Sequence, residues 1–169
     1  MSVIRRAEPG ELPALARLWE AGWYEAHEGR LPPGLVALRT PASFRSRIAA
    51  YGDALRVAGP TGAPLGFCVA QRDEIEQLFV APAARGTGLA ARLLADGEAR
   101  LRAAGVETGR IACAVGNDRA LRFYARHGWH GGVEPLIAAG GFPIEVVALR
   151  KPLARQAVPV IGTARAGSI

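Results

Sequence analysis

"VAPAARGTGLAARLLADGEARLRAAG", Val80 to Gly105, places two glycines, Gly86 and Gly88, between an apolar run and a long helical segment that closes at Gly105. A helix mouth presents backbone N–H groups without internal partners, and the macrodipole adds partial positive charge there. With Arg85 beside it, such a mouth suits a phosphate or another anion. The stretch therefore predicts a strand-to-helix crossing that carries an anion at its turn.

Upstream, "ALRVAG", "APLGFCVAQ" and "DEIEQLFVA" are short β-type runs separated by "GPTGAP" and the polar "QRD", which predicts an antiparallel meander. Before them, Leu12, Leu15, Leu18, Trp19 and Trp23 recur at helical spacing after a short strand, and Trp19 and Trp23 read as packing residues. The stretch from Glu28 to Leu38, with its prolines and glycines, reads as a loop; a second, shorter helix follows, with Thr40 as N-cap and Pro41 at its first position. Downstream, "GRIACAV" is a buried strand, "NDRALRFYARHG" a helix capped by Asn117 or Asp118 and ended by Gly128, and "WHGGVEPLI" with "FPIEVVALRKP" a closing hairpin. Residues 1–153 thus form one α/β domain, a mixed, mostly antiparallel sheet flanked by helices, and residues 154–169 a tail without periodicity, expected to be partly mobile.

At 169 residues, half of them hydrophobic and about a fifth charged, the chain has the balance of a soluble globular domain. No apolar run is long enough for a membrane span and "MSVIRRAEPGEL" lacks a signal-peptide core, so a cytoplasmic protein is expected, with no membrane partner. Cys68 and Cys113 stand singly in apolar runs and read as buried small hydrophobes. The net charge of +6 comes from scattered arginines, Lys151 being the one lysine, without a basic run or interleaved aromatics. That pattern favours small anionic ligands over nucleic acid. No metal-ligand cluster is visible, and His127 and His130 read as helix-end or surface residues.

In this setting the sequence resembles the GNAT N-acetyltransferases over most of its length. Their acetyl-CoA signature stands here as Arg85, Gly88 and Ala90 in "RGTGLA", after a strand ending in "LFVAP". A second feature stands as Asn117, Tyr124, Gly128 and Trp129 in "NDRALRFYARHGW". The resemblance implies acetyl-CoA as co-substrate, an amine acceptor, and dimerisation as a common state. It implies that Gly86 and Gly88 let backbone approach the pyrophosphate, that the N–H groups of Thr87, Gly88, Leu89 and Ala90 accept its charge with Arg85, and that Asn117 holds the pantetheine or caps its helix. Phe79 and Val80 would offer backbone N–H groups to the pantetheine arm and the oxyanion. "GTGLAA" also fits the dinucleotide pattern Gly-x-Gly-x-x-Gly/Ala, but "APAAR" intervenes after the strand and Glu107 precedes the next strand instead of ending it, so that reading is set aside.

Acetyl transfer needs a base for the amine, donors for the oxyanion and a proton for the departing thiolate. Glu74 and Glu76 lie at period-two spacing and share one strand face unless a bulge intervenes. By resemblance Glu74 is the first choice for the base, with Glu76 the alternative, and Tyr124 the proton donor to sulfur. Of the adjacent pair Phe123 and Tyr124, Phe123 is the one expected to face the core. Tyr24 and His27 are candidates for the acceptor pocket. The alternative from another class is a module of the same fold that binds acyl-CoA without transferring it.

Overall fold

The computed structural model of the protein describes residues 2–153; the expected tail, 154–169, lies outside them. The chain runs β1 (Ile4–Arg6), α1 (Leu12–His27), α2 (Pro33–Ala37), α3 (Pro41–Ala50), β2 (Leu55–Ala58), β3 (Gly66–Gln71), β4 (Glu74–Val80), α4 (Leu89–Ala103), β5 (Thr108–Ala114), α5 (Asp118–Arg126), β6 (His130–Ile137) and β7 (Pro143–Pro152). The strands form one sheet in the order β1-β2-β3-β4-β5-β7-β6, and every pairing is antiparallel except that of β4 with β5. The mixed, mostly antiparallel sheet read from the sequence is the one found. Where the sequence predicts a loop after Glu28 there is a one-turn helix, α2, in which Pro33 supplies a preset φ and Leu35 is buried. Thr40 caps α3 by accepting from the Ser43 N–H.

Each face of the sheet carries its own core. On one, Leu15, Trp19 and Trp23 of α1 and Phe44 and Ile48 of α3 pack on Val57, Phe67 and Val69, with Trp19 edge-on to Phe44 at 5.2 Å. On the other, Leu93, Leu94 and Leu101 of α4 meet Cys68, Ile75, Ile111 and Trp129. Both cysteines are buried free thiols, as the apolar runs around them imply. Tyr124 belongs to this second core while Phe123 is only partly buried against it, the reverse of the expectation. The reason is that α5 lies over β5 with Tyr124 toward Cys113 and Cys68, and the phenol ring fills space next to the sheet.

Two buried carboxylates fasten the elements. Glu98 of α4 accepts from the indole N–H of Trp129 and from the Lys151 ammonium, each at 2.9 Å, joining helix, turn and β7. Glu11, 2% exposed, takes both arms of the Arg5 guanidinium at 2.7 and 2.8 Å and the N–H groups of Glu8 and Gly62. The hydrogen bonds from Arg5 lead in pulling its carboxyl down to about 2, against the desolvation that opposes them.

The strand β4 has two irregularities that matter for function. Val69 pairs with Gln77 but Ala70 with Ile75, so one extra residue, Glu76, is inserted as a bulge. And β4 meets β5 at a single register pair, Glu74 with Arg110, beyond which the two strands part.

Because the Glu11 carboxyl sits below its ordinary range, the stability it adds is fully present above about pH 4.5 and is lost as pH falls toward about 2. Glu11→Gln should cost about 3 kcal/mol at neutral pH. Denaturant titrations of the variant should also show a flatter loss of stability over that acid window; an unchanged acid profile would deny Glu11 this role.

Candidate active site

Gly88, with φ +82° and ψ 2°, is the N-cap of α4, and Gly86 also has a positive φ of +76°. Two left-handed residues in three fold the chain from the end of β4 sharply into the helix, a path that glycine takes without the Cβ penalty. Thr87 closes the turn by donating its hydroxyl to the Ala84 carbonyl at 2.6 Å. No side chain caps α4, and its first backbone bond is from Arg92 to the Gly88 carbonyl, which leaves the N–H groups of Leu89, Ala90 and Ala91 without helical partners.

These amides open onto a cavity of about 470 Å³ that is also lined by Leu78, Phe79 and Val80 of β4, Gly22 and Ala26 of α1, and Asn117, Arg119, Tyr124, Arg126 and His127 around α5. Residues of α1 and α5 lie on opposite faces of the sheet, and they can share a cavity only because β4 and β5 have parted. In the gap, strand geometry sets which groups are presented. The Ala81 N–H donates to the Leu65 carbonyl on the β3 side, and amide direction alternates along a strand. Phe79 therefore turns its N–H to β3, and Leu78 and Val80 turn theirs into the gap.

Arg85 lies at the rim, held fork to fork by Glu25 of α1 at 3.0 and 2.6 Å, and Arg119 meets the same carboxylate at 3.2 Å. These bonds, Arg85 foremost, hold the Glu25 carboxyl below its ordinary range. Arg119, Arg126 and His127 are rim residues that the sequence reading missed or placed at the surface; the signal was two arginines and a histidine at positions 119, 126 and 127, one helical face turned to the same side. Asn117 spends its side-chain oxygen on the Ala120 N–H at 3.3 Å, as a cap, while lining the cavity wall.

A second cavity, about 660 Å³, lies on the other side of the gap. Glu74, Glu76 and Gln77 of β4, His27 of α1, Arg39, Arg47, Cys113 and Glu145 are among its lining residues. Ala26, Leu78, Phe79, Asn117, Ala120 and Tyr124 line both cavities, so the two meet at the gap. Glu74 is half-buried there, and desolvation, then the nearby Glu76 charge, raise its carboxyl above the ordinary range. Glu76 accepts from Gln71 at 2.7 Å and Arg72 at 2.9 Å, so it braces the bulge it occupies. Burial raises the Tyr124 phenol far enough that it stays protonated across the working pH range. Burial likewise pushes the Cys113 thiol up to about 11.

His27 bonds through Nδ1 to the Trp23 carbonyl at 2.8 Å and stacks on the Trp23 ring at 4.6 Å. A carbonyl only accepts, so Nδ1 carries the hydrogen, and burial holds the ring pKa down, leaving a neutral ring with an Nε2 lone pair. Tyr24 does not line either cavity: its hydroxyl donates to the Arg39 carbonyl at 2.9 Å, which ties the loop after α2 to α1. Among the described residues no cluster of histidine, cysteine or carboxylate side chains suits a metal ion, and no helix is long and apolar enough to cross a membrane.

The sequence profile of the acetyltransferase (GNAT) family matches residues 12–129. The chain belongs to that family. The fold agrees: a GCN5-related N-acetyltransferase of Rhodopseudomonas palustris superposes with a TM-score of 0.70 at 19% identity, covering 90% of this chain and 96% of that one. PaiA N-acetyltransferase of Thermoplasma acidophilum, solved with coenzyme A, gives 0.65 at 15% identity over 90% and 99% of the two chains. YncA of Salmonella typhimurium, solved with its cofactor acetyl-CoA, gives 0.62 at 18% over 96% and 99%. No curated protein sequence matches the chain.

A methyl group at Gly88 would meet no neighbouring atom, so the cost of Gly88→Ala is backbone strain alone. We expect about 1 kcal/mol, read by calorimetry as a drop in Tm of about 2–4 °C. Gly10→Ala, with an ordinary φ and equal open space, should be nearly neutral; equal effects at the two positions would contradict the strained turn.

Proposed function

We propose that this GNAT protein transfers the acetyl group of acetyl-CoA to a primary amine by direct attack, without an acetylated enzyme. The observation that carries the reading is the meeting of two cavities at Leu78 and Tyr124, one with anion-binding character and one with a carboxylate at its wall. The first fits coenzyme A: the free amides of Leu89, Ala90 and Ala91 would hold its pyrophosphate, with Arg119, Arg126 and His127 at the rim and Arg85 steadied by Glu25. The amides of Leu78 and Val80 would pair with the pantetheine arm in the gap.

Acetyl-CoA supplies an activated carbonyl in its thioester. Glu74 would take the proton from the amine, a task for which its raised pKa suits it better than an ordinary carboxylate. The nitrogen then forms its bond to the acetyl carbon, and the Leu78 and Val80 amides would stabilise the oxyanion. As the carbon–sulfur bond breaks, the Tyr124 hydroxyl would give its proton to the departing sulfur. Protons and charge close: one proton leaves nitrogen for Glu74, one leaves Tyr124 for sulfur, and solvent exchanges the two. The neutral Cys113 thiol makes a poor nucleophile, which favours direct attack over an acetyl-cysteine route. Glu76, engaged by Gln71 and Arg72, supports Glu74 by keeping the bulge in place.

A thermal melt tests the co-substrate. At about a hundredfold excess over Kd, acetyl-CoA should add roughly 2.7 kcal/mol, a shift on the order of 5–10 °C, and NAD none; a shift with NAD alone would overturn the reading.

Glu74→Gln and Tyr124→Phe should each lower kcat by about a hundredfold while keeping the melt shift. The acid limb of kcat/KM in the unmodified protein should lie above the ordinary carboxylate range, because Glu74 must be ionised to act as base, and it should vanish in Glu74→Gln. Full activity in both variants would remove these roles.

A further inference from the structure

The second cavity carries charge of both signs. Glu74, at the start of β4, and Tyr124, at the junction with the first cavity, both line it. From Glu74 the wall runs along β4 to Gln77, whose amide donates to the Tyr51 hydroxyl at 3.4 Å, and then up α3 to Arg47, one turn before Tyr51. Arg39, from the loop after α2, completes that end, held by the bond from the Tyr24 hydroxyl to its carbonyl.

Arg39 and Arg47 are unlike the third arginine of this cavity. Arg72 is paired with Glu76, whereas neither Arg39 nor Arg47 has a carboxylate partner among the described residues. The Arg39 Nε and the Arg47 Nη1 are buried and make no hydrogen bond there. Arg47 lies beside the Tyr51 hydroxyl with its guanidinium carbon over the Trp19 ring, 4.3 Å from the centroid, and its Nη1 is unused. Burial, then the Arg47 charge, depress the pKa of Arg39. Two like charges, partly desolvated and lacking an anion, are costly to hold unless an anion joins them. A guanidinium fork matches a carboxylate in two parallel hydrogen bonds.

We infer that the acceptor is a small amine that also carries a carboxylate, with its acid group bound by Arg39 and Arg47 and its amine presented to Glu74. This rests on the acetyl-transfer reading and names the substrate class for that same site. The bond that forms and the bond that breaks are those already given, and the product is an N-acetylated amino acid.

The test measures thiol release from acetyl-CoA with the α-amino acids, β-alanine and 4-aminobutyrate, each beside its own carboxamide. The best free acid should exceed its amide in kcat/KM by at least tenfold. Arg39→Gln and Arg47→Gln should shrink that acid-to-amide ratio tenfold or more, and the ratio in the unmodified protein decides the matter even where a variant does not fold. Amides used as well as or better than acids, or a ratio unmoved by both substitutions, would overturn the carboxylate site while leaving acetyl transfer intact. No thiol release with any acid or amide would overturn the carboxylate site, and loss of the acetyl-CoA melt shift in the same sample would overturn the acetyl-transfer reading with it.

Discussion

The strand β4 is bonded to β3 along its length but to β5 at one register pair, Glu74 with Arg110, and the working parts of the molecule depend on that parting. A continuous sheet would separate α1 from α5 and leave two unconnected surfaces. With the gap, the amides of Leu78 and Val80 lose their strand partner and Tyr124 comes to lie between two cavities. The bulge at Glu76 sits just where β4 begins to diverge, and an inserted residue bends a strand and increases its twist. Gln71 and Arg72 hold the Glu76 carboxylate and so keep the bend at that position.

The charges around the gap are arranged to be fixed before any ligand arrives. Glu25 draws Arg85 and Arg119 together from two elements, and Glu98 joins α4 to β7 through Lys151 and Trp129. Such cross-element bonds hold the mouth of α4 in register with α5, which is the geometry an anion between them requires. The groups proposed for the chemistry, and the thiol beside them, are instead set by burial: Glu74 with its carboxyl raised, Tyr124 kept as a neutral phenol, Cys113 as a neutral thiol. Burial therefore does more here than pack a core, since it raises the proton affinity of all three groups.

Much of this was legible in the sequence, for identifiable reasons. The meander, the α4 mouth and the Asn117 cap depend on local signals: alternation, glycine at positive φ, and a side chain within reach of its own helix. The bulge was legible only as a condition on the Glu74 and Glu76 pair, because inserting one residue leaves no mark in the alternation until the partner register is known. The same limit applies to the amide directions that turn Leu78, not Phe79, into the gap. The short helix α2 was hidden among prolines and glycines, and the order of burial in Phe123 and Tyr124 depends on how α5 docks on β5, a tertiary choice that two adjacent aromatic residues do not record. Arg39 and Arg47 gave no signal at all, since their meaning lies in the absence of partners across elements distant in the chain.

The central claim is that the parted strand and the uncapped helix mouth together hold the co-substrate. Amide chemical shifts in a ¹⁵N-labelled sample titrated with acetyl-CoA address it most directly. The account predicts that the largest changes fall on Leu78, Val80, Leu89, Ala90 and Ala91, with saturation at one equivalent. Changes centred elsewhere, or an equal response to NAD, would contradict it.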